Sequence, residues 1–197
     1  MKMIAGVPFP LIATPDTGAH IATDGTLRLT GGALSDLFVS PADGQMTLNA
    51  TTLLGRVAGD FQLVARVQVA FASTFDAGAL LVWHDPQHWA KLCYELSPAA
   101  EPMVVSVVTR EYSDDANGFV TAAAHIWLRI ARMDAAFAFH ASPDGRRWSL
   151  VRHFRFAAGA EPLVGFVAQS PTGAGCTATF DEISCSQTRL AAIRDGS

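Results

Sequence analysis

The stretch WAKLCYEL (residues 89–96) sets Lys91 and Glu95 four residues apart in an otherwise apolar run. On a β-strand, Trp89, Lys91, Cys93 and Glu95 share one face, while Ala90, Leu92, Tyr94 and Leu96 share the other. A cation, a carboxyl and an aromatic plane suit a hydroxyl-rich ring: the charges bond its hydroxyls and the aromatic covers its apolar side. A rise of about 3.3 Å per residue puts Lys91 and Glu95 roughly 13 Å apart along the strand, so they do not pair directly. Their partners must come from neighbouring strands. Thr109 and Arg110 of the next strand, and Trp127 and Arg129 of a later one, are candidates.

Two readings stand side by side. In one, Lys91, Glu95, Asp114 and Arg129 supply polar contacts in a ligand groove, Thr109 adds a hydroxyl, and Trp89 and Trp127 are stacking planes. In the other, the same residues form a solvated sheet face, whose cross-strand pairs contribute ~0.2–1 kcal/mol each.

Other chemistries have less support. Glycoside hydrolysis needs two carboxyls at about 5–5.5 Å or ~6.5–9.5 Å, and Glu95 is the one carboxylate within its strand. The adjacent Asp181 and Glu182 point to opposite faces. HDPQH (84–88) offers two histidines around Asp85, but a proline-containing turn explains it without a metal. Cys93 lies near Lys91 and lacks an adjacent histidine, so it reads as a small packing residue. The glycine-rich stretches TGGALSD and PTGAGC do not lead from a strand into a helix, which a phosphate cradle requires.

The elements that must position these residues are strands. FQLVARVQVAF (61–71) alternates apolar with Gln62, Arg66 and Gln68, as a half-buried antiparallel strand does. Further strands are predicted at 20–31, 35–40, 76–85, 89–96, 102–110, 125–133, 135–142, 148–156, 162–170 and 176–185. Asp24-Gly25 and Asp144-Gly145 carry hairpin chemistry. About eleven short strands with turn signals between them predict an all-β sandwich or barrel. The tail 188–197 reads as a short helix or a loose end.

Composition narrows the classes further. The chain has 197 residues, half of them hydrophobic and 16% charged, with a formal net charge of −4. Such a chain can bury a core as a single domain over 1–197, and it has no basic face for nucleic acid. No run reaches the ~18 apolar residues of a membrane-spanning helix. Pro8 and Pro10 interrupt the N-terminal apolar stretch, so the expected location is cytoplasmic. Three cysteines without a CxxC pair give neither a disulfide framework nor a zinc site. Oligomeric state is left as monomer or homodimer.

Four segments, in order, resemble a known family. FDAGALLVWHDPQHWAKLCYEL is similar to its D-x-G-L-x-x-x-x-D-x-x-x-W-x-K-x-G-x-E stretch, and VVTREYSDD to its V-V-T-x-x-x-S-D segment. WLRIARMDAAFAFHASPDGRRW and VGFVAQSPTGAGCTATFDEI resemble its second half. The family is domain of unknown function 1349, which includes a fungal regulator of enolase and belongs to the concanavalin A-like lectin/glucanase superfamily. The resemblance covers most of residues 20–187. It implies a concanavalin A-like jelly-roll sandwich of two curved antiparallel sheets, with the concave face as ligand surface. Two departures stand out: Cys93 replaces a glycine, narrowing any groove floor, and Asp115 replaces a stacking residue after Ser113-Asp114. Many sandwiches of the superfamily hold a structural calcium ion, and Asp181 is the candidate ligand here.

The functional expectation is a non-catalytic binding module for carbohydrate or a related small polar metabolite on the face carrying Lys91 and Glu95. The alternatives are a protein–protein interaction or regulatory domain, and then a glycoside hydrolase-like enzyme.

Overall fold

The structure, a computed structural model, describes residues 1–14, 18–156 and 161–197. Sixteen strands run in chain order: β1 (Ile12–Thr14), β2 (Ala19–Ile21), β3 (Leu27–Gly32), β4 (Leu37–Val39), β5 (Met46–Leu48), β6 (Thr51–Arg56), β7 (Phe61–Val69), β8 (Ala77–Asp85), β9 (His88–Leu96), β10 (Pro102–Arg110), β11 (Tyr112–Val120), β12 (Ile126–Met133), β13 (Ala136–Ser142), β14 (Ser149–Arg155), β15 (Leu163–Gln169) and β16 (Gly175–Ser186). Among the described residues no helix is long and apolar enough to cross a membrane.

The strands form two seven-stranded antiparallel sheets packed as a sandwich. The first has the order β1-β6-β15-β8-β9-β10-β11, the second β14-β13-β12-β7-β16-β3-β2, and β4-β5 make a separate two-stranded ribbon. The all-β sandwich read from alternation and turns is therefore the fold. Gly25 and Gly145 adopt φ +85° and +69° in the two Asp-Gly turns, a conformation that glycine reaches without steric cost.

Alternation places the main core. Leu80, Val82, Leu92, Tyr94 and Val108 of the first sheet meet Leu63, Val67, Ile130, Phe139 and Phe180 of the second. The first sheet is also buried on its other face. There Ala77, Ala79, Leu81, Trp89, Cys93, Val105 and Val107 pack beneath Leu37 and Val39 of β4. Burial on both faces explains why β8, β9 and β10 are apolar almost throughout. It also removes the solvated-face reading, because Lys91 is 2% exposed and Trp89 fully buried.

β1, β5, β6 and β11 were not foreseen. β11 (YSDDANGFV) has little apolar alternation, since it is a mostly exposed edge strand held by the β10 ladder. The tail 188–197 takes neither expected form. It packs irregularly on the outer face of the second sheet, with Leu190 and Ile193 against Ala131, Met133 and Ala138.

Candidate functional site: a covered polar pocket

Small side chains create the pocket. Gln169, Ala77, Glu95 and Met103 form one cross-strand row, and Val167, Ala79, Cys93 and Val105 a parallel row. Leu81, Lys91, Val107 and Asp115 form a third. Ala77, Ala79 and Cys93 leave a depression that longer side chains can lie across. The Lys91 ammonium uses it, donating to Gln169 Oε1 at 2.8 Å and to Asp36 Oδ1 at 3.1 Å.

Loops close the rim. The buried Asp76 carboxylate accepts the backbone N–H groups of Ala72 and Ser73 and, at 2.5 Å, the Ser170 hydroxyl. That ties the segment carrying Phe75 to the one carrying Pro171 and Thr172. On the other side Val39 N–H donates to Ser113 Oγ, which also bonds Thr109 Oγ1, and these contacts fix β4 over β10 and β11. The result is a half-open cavity of about 320 Å³, lined by Asp36, Phe38, Phe75, Lys91, Glu95, Val107, Asp115, Gln169, Pro171 and Thr172.

Its electrostatics centre on Lys91. Burial alone pushes the ammonium down, but Asp36 and the neighbouring carboxyl and thiol groups outweigh it and hold Lys91 above its usual value. Glu95 is pushed up to about 8 by burial, against the pull of Lys91 and with help from Asp115 and Asp36. Asp115 stands on the exposed edge strand, yet lost hydration on its pocket side raises it too. Burial takes the Cys93 thiol well above its usual range, so the thiol is not activated by Lys91.

The sequence-predicted residues divide by sheet. Lys91 and Glu95 both line the pocket. Trp89 lies on the same face but is sealed beneath β4-β5, stacked with Trp83 at 6.4 Å, and offers no open plane. Thr109 is fully buried and supports β4 through Ser113 instead of facing the cavity. Asp114 points to the opposite side of β11 and binds Arg152 of β14 at 2.7 Å. Trp127 and Arg129 belong to β12 in the second sheet and cannot join Lys91. Trp127 donates to Glu182 Oε2 at 3.0 Å, while Arg129 lies 4.2 Å over Trp148 and donates to the Gly196 carbonyl. Arg110 faces outward, bonding the Arg155 carbonyl.

Asp181 makes a two-point contact with Arg66, both distances 2.7 Å. Among the described residues no three His, Cys, Asp or Glu side chains are grouped to hold a metal. In HDPQH, His88 bonds Asp85 across the turn while the His84 ring packs against Phe156.

Asp36, Phe38, Phe75, Asp115 and Gln169 were missed. Alternation in LVGFVAQ puts Gln169 on the face of Val167, the one available sign that a polar side chain enters this layer. Asp115, which the sequence reading counted as the loss of a stacking surface, is a wall of the pocket. Glu95 therefore has carboxyl neighbours after all, Asp115 brought by β11 and Asp36 by the segment ahead of β4.

Comparison with known proteins agrees with the fold. The profile described as Protein of unknown function (DUF1349) matches residues 13–188. Regulation of enolase protein 1 of Saccharomyces cerevisiae is 31% identical over 136 residues, 68% of this chain and 68% of that protein. A functionally unknown protein from Saccharomyces cerevisiae superposes with a TM-score of 0.79 at 25% identity, covering 87% of this chain and 92% of that one. The Bacillus subtilis carbohydrate binding module CBM66 shares the fold, with a TM-score of 0.60, 12% identity and coverage of 94% and 99%. The chain, a two-sheet β-sandwich, belongs to the DUF1349 family.

Proposed function

We propose that the chain is a non-catalytic binding module that seats a small polar ligand of the carbohydrate type in the Lys91–Glu95 pocket. The observation that carries this reading is Glu95. Its carboxyl lines the cavity and has no hydrogen-bond partner among the described residues. A carboxyl withdrawn from water without a partner costs free energy, and a ligand hydroxyl would offset that cost. A cavity of about 320 Å³ suits a single sugar ring. Phe38 and Phe75 on its wall supply the apolar surface such a ring needs. The shared fold with a carbohydrate binding module supports the shape of the idea only.

The test is a thermal-shift screen of sugars and metabolites together with a glycan array, on wild type and Glu95→Ala. A ligand response lost in Glu95→Ala and kept in Trp127→Ala, on the opposite sheet, is expected. A response that survives Glu95→Ala removes the pocket from consideration.

A regulatory protein-binding role is the second reading. It is favoured by exposed Met1, Met3 and Ile12, two of which line a second hollow of about 470 Å³ beside β1. The relative named for regulation of enolase suggests the partner to try. Sedimentation of the chain with purified enolase, with and without Ile12→Lys, is the measurement. Independent sedimentation of the two proteins would end this reading.

A further inference from the structure

The pocket's groups divide unevenly between hydrogen-bond donors and acceptors. Among the described residues Lys91 is the one cation on its wall, and two of its three N–H groups are committed to Asp36 and Gln169. The Thr172 hydroxyl is committed too, donating to the Thr74 carbonyl at 2.6 Å. Against these stand the carboxyls of Asp36, Glu95 and Asp115. Lys91 neutralises Asp36, its direct partner. Among the described residues neither Glu95 nor Asp115 is hydrogen-bonded to a cation: Lys91 acts on both only at a distance, and Arg152, which also acts on Asp115, is bound to Asp114.

Acceptors thus outnumber donors, and negative groups outnumber positive ones. A phosphate or carboxylate ligand would meet the spare Lys91 N–H and the Gln169 amide, but also the Asp36 and Asp115 carboxylates, whose combined charge exceeds that of Lys91 and disfavours it. A ligand rich in donors and carrying positive charge meets the opposite. Phe38, Phe75 and Val107 would cover its carbon skeleton, and an ammonium beside the phenyl rings gains further attraction.

Building on the binding role above, we propose that the pocket selects a cationic, hydroxyl-bearing ligand, a small amino sugar or comparable amino-polyol, with its ammonium between Glu95 and Asp115. The groups that face Glu95 from each packed element support a linked proton step. These are Asp36 ahead of β4, Lys91 and Cys93 on β9, Asp115 on β11 and Gln169 on β15. At neutral pH Glu95, raised to about 8, holds its proton in the empty pocket. An arriving ammonium favours the carboxylate, so binding releases that proton to solvent and the charge balances.

Calorimetric titration at pH 7 with glucosamine, glucose, glucuronate and glucose 6-phosphate, in two buffers of different ionisation enthalpy, tests the proposal. Glucosamine is expected to bind at least ~10-fold more tightly than glucose, the two anionic sugars not at all, and proton release to accompany glucosamine alone. Glu95→Gln should reduce the preference to under ~3-fold and abolish proton release while glucose still binds. Asp115→Asn, on the exposed edge strand, should shift the preference the same way and serves if Glu95→Gln folds poorly. Equal affinity for glucose and glucosamine would overturn the amine selection and leave the binding role standing. So would an anionic sugar binding as tightly as glucosamine. Silence from all four sugars would overturn both.

Discussion

Lys91 of β9 and Asp36, fifty-five residues earlier in the chain, meet at 3.1 Å beneath the β4-β5 ribbon. The ion pair joins the ribbon to the sheet it covers, with the Lys91 side chain 3% exposed and that of Asp36 21% exposed. Removing one member of a buried pair leaves the other charged and desolvated.

The pair therefore predicts an asymmetric mutational response. Lys91→Ala should lower the unfolding free energy by ~2–4 kcal/mol, because three carboxyls then share the pocket without a cation. Asp36→Ala should cost less, ~1–2 kcal/mol, since its carboxylate retains some water. Urea denaturation of both singles and the double would give a coupling of about 1 kcal/mol. Strict additivity would show that the two charges do not support one another.

Glu95 sets a pH dependence with a definite sign. Its folded pKa of about 8 lies above the ordinary 4.5, so between those values the unfolded chain has lost a proton that the folded chain keeps. Stability from this group is full below about pH 4.5, declines as pH rises to about 8, and then levels off. The decline should amount to ~2–4 kcal/mol, and Glu95→Gln should flatten it. Urea midpoints measured from pH 5 to 9 on both proteins check this. A wild-type profile as flat as the mutant's contradicts it.

The three cysteines should differ in reactivity. Cys93 is fully buried with its thiol pushed far up, and burial raises Cys176 to about 12. Cys185 is half-buried and raised to about 11. Iodoacetamide on the native protein at pH 7.5 should label slowly, Cys185 first, with Cys93 labelled only on unfolding. Mass spectrometry of tryptic peptides reads the order, and early labelling of Cys93 would indicate an open β4-β5 ribbon.

The tail should behave as a docked strap. Gly196 holds φ +72°, and a Cβ there would lie 2.1 Å from Arg129 Nη2. Its carbonyl accepts from Arg129, a buried guanidinium that desolvation lowers to about 10. Gly196→Ala should loosen residues 188–197 and speed tryptic cleavage after Arg189 and Arg194 several-fold, with the rest of the chain as resistant as before. An unchanged cleavage rate would mean that the strap is held elsewhere, by Leu190.

The legible part of the site was the part written along a single strand. WAKLCYEL places Lys91 and Glu95 on one face and Leu92 and Tyr94 on the other, because side chains alternate whatever the rest of the chain does. The same rule could not separate Asp114 from Asp115 without the β10–β11 register, and that register belongs to an edge strand with no apolar pattern. Trp127 and Arg129 looked like partners because their residue types fitted. Their strand pairs with β7 and β13, and so falls in the other sheet.

The sequence by itself determined the strand period, the Asp-Gly turns and the two-faced character of β9, all of them local consequences of backbone geometry. Only the tertiary structure decided that the charged face is covered, that Asp36 and Gln169 reach Lys91, and that Asp115 shares the cavity with Glu95. Sheet order brings β15 beside β8 and lays β4 across β10 and β11. Such pairings depend on which distant strands bury each other's apolar faces, and no short stretch of chain encodes that choice.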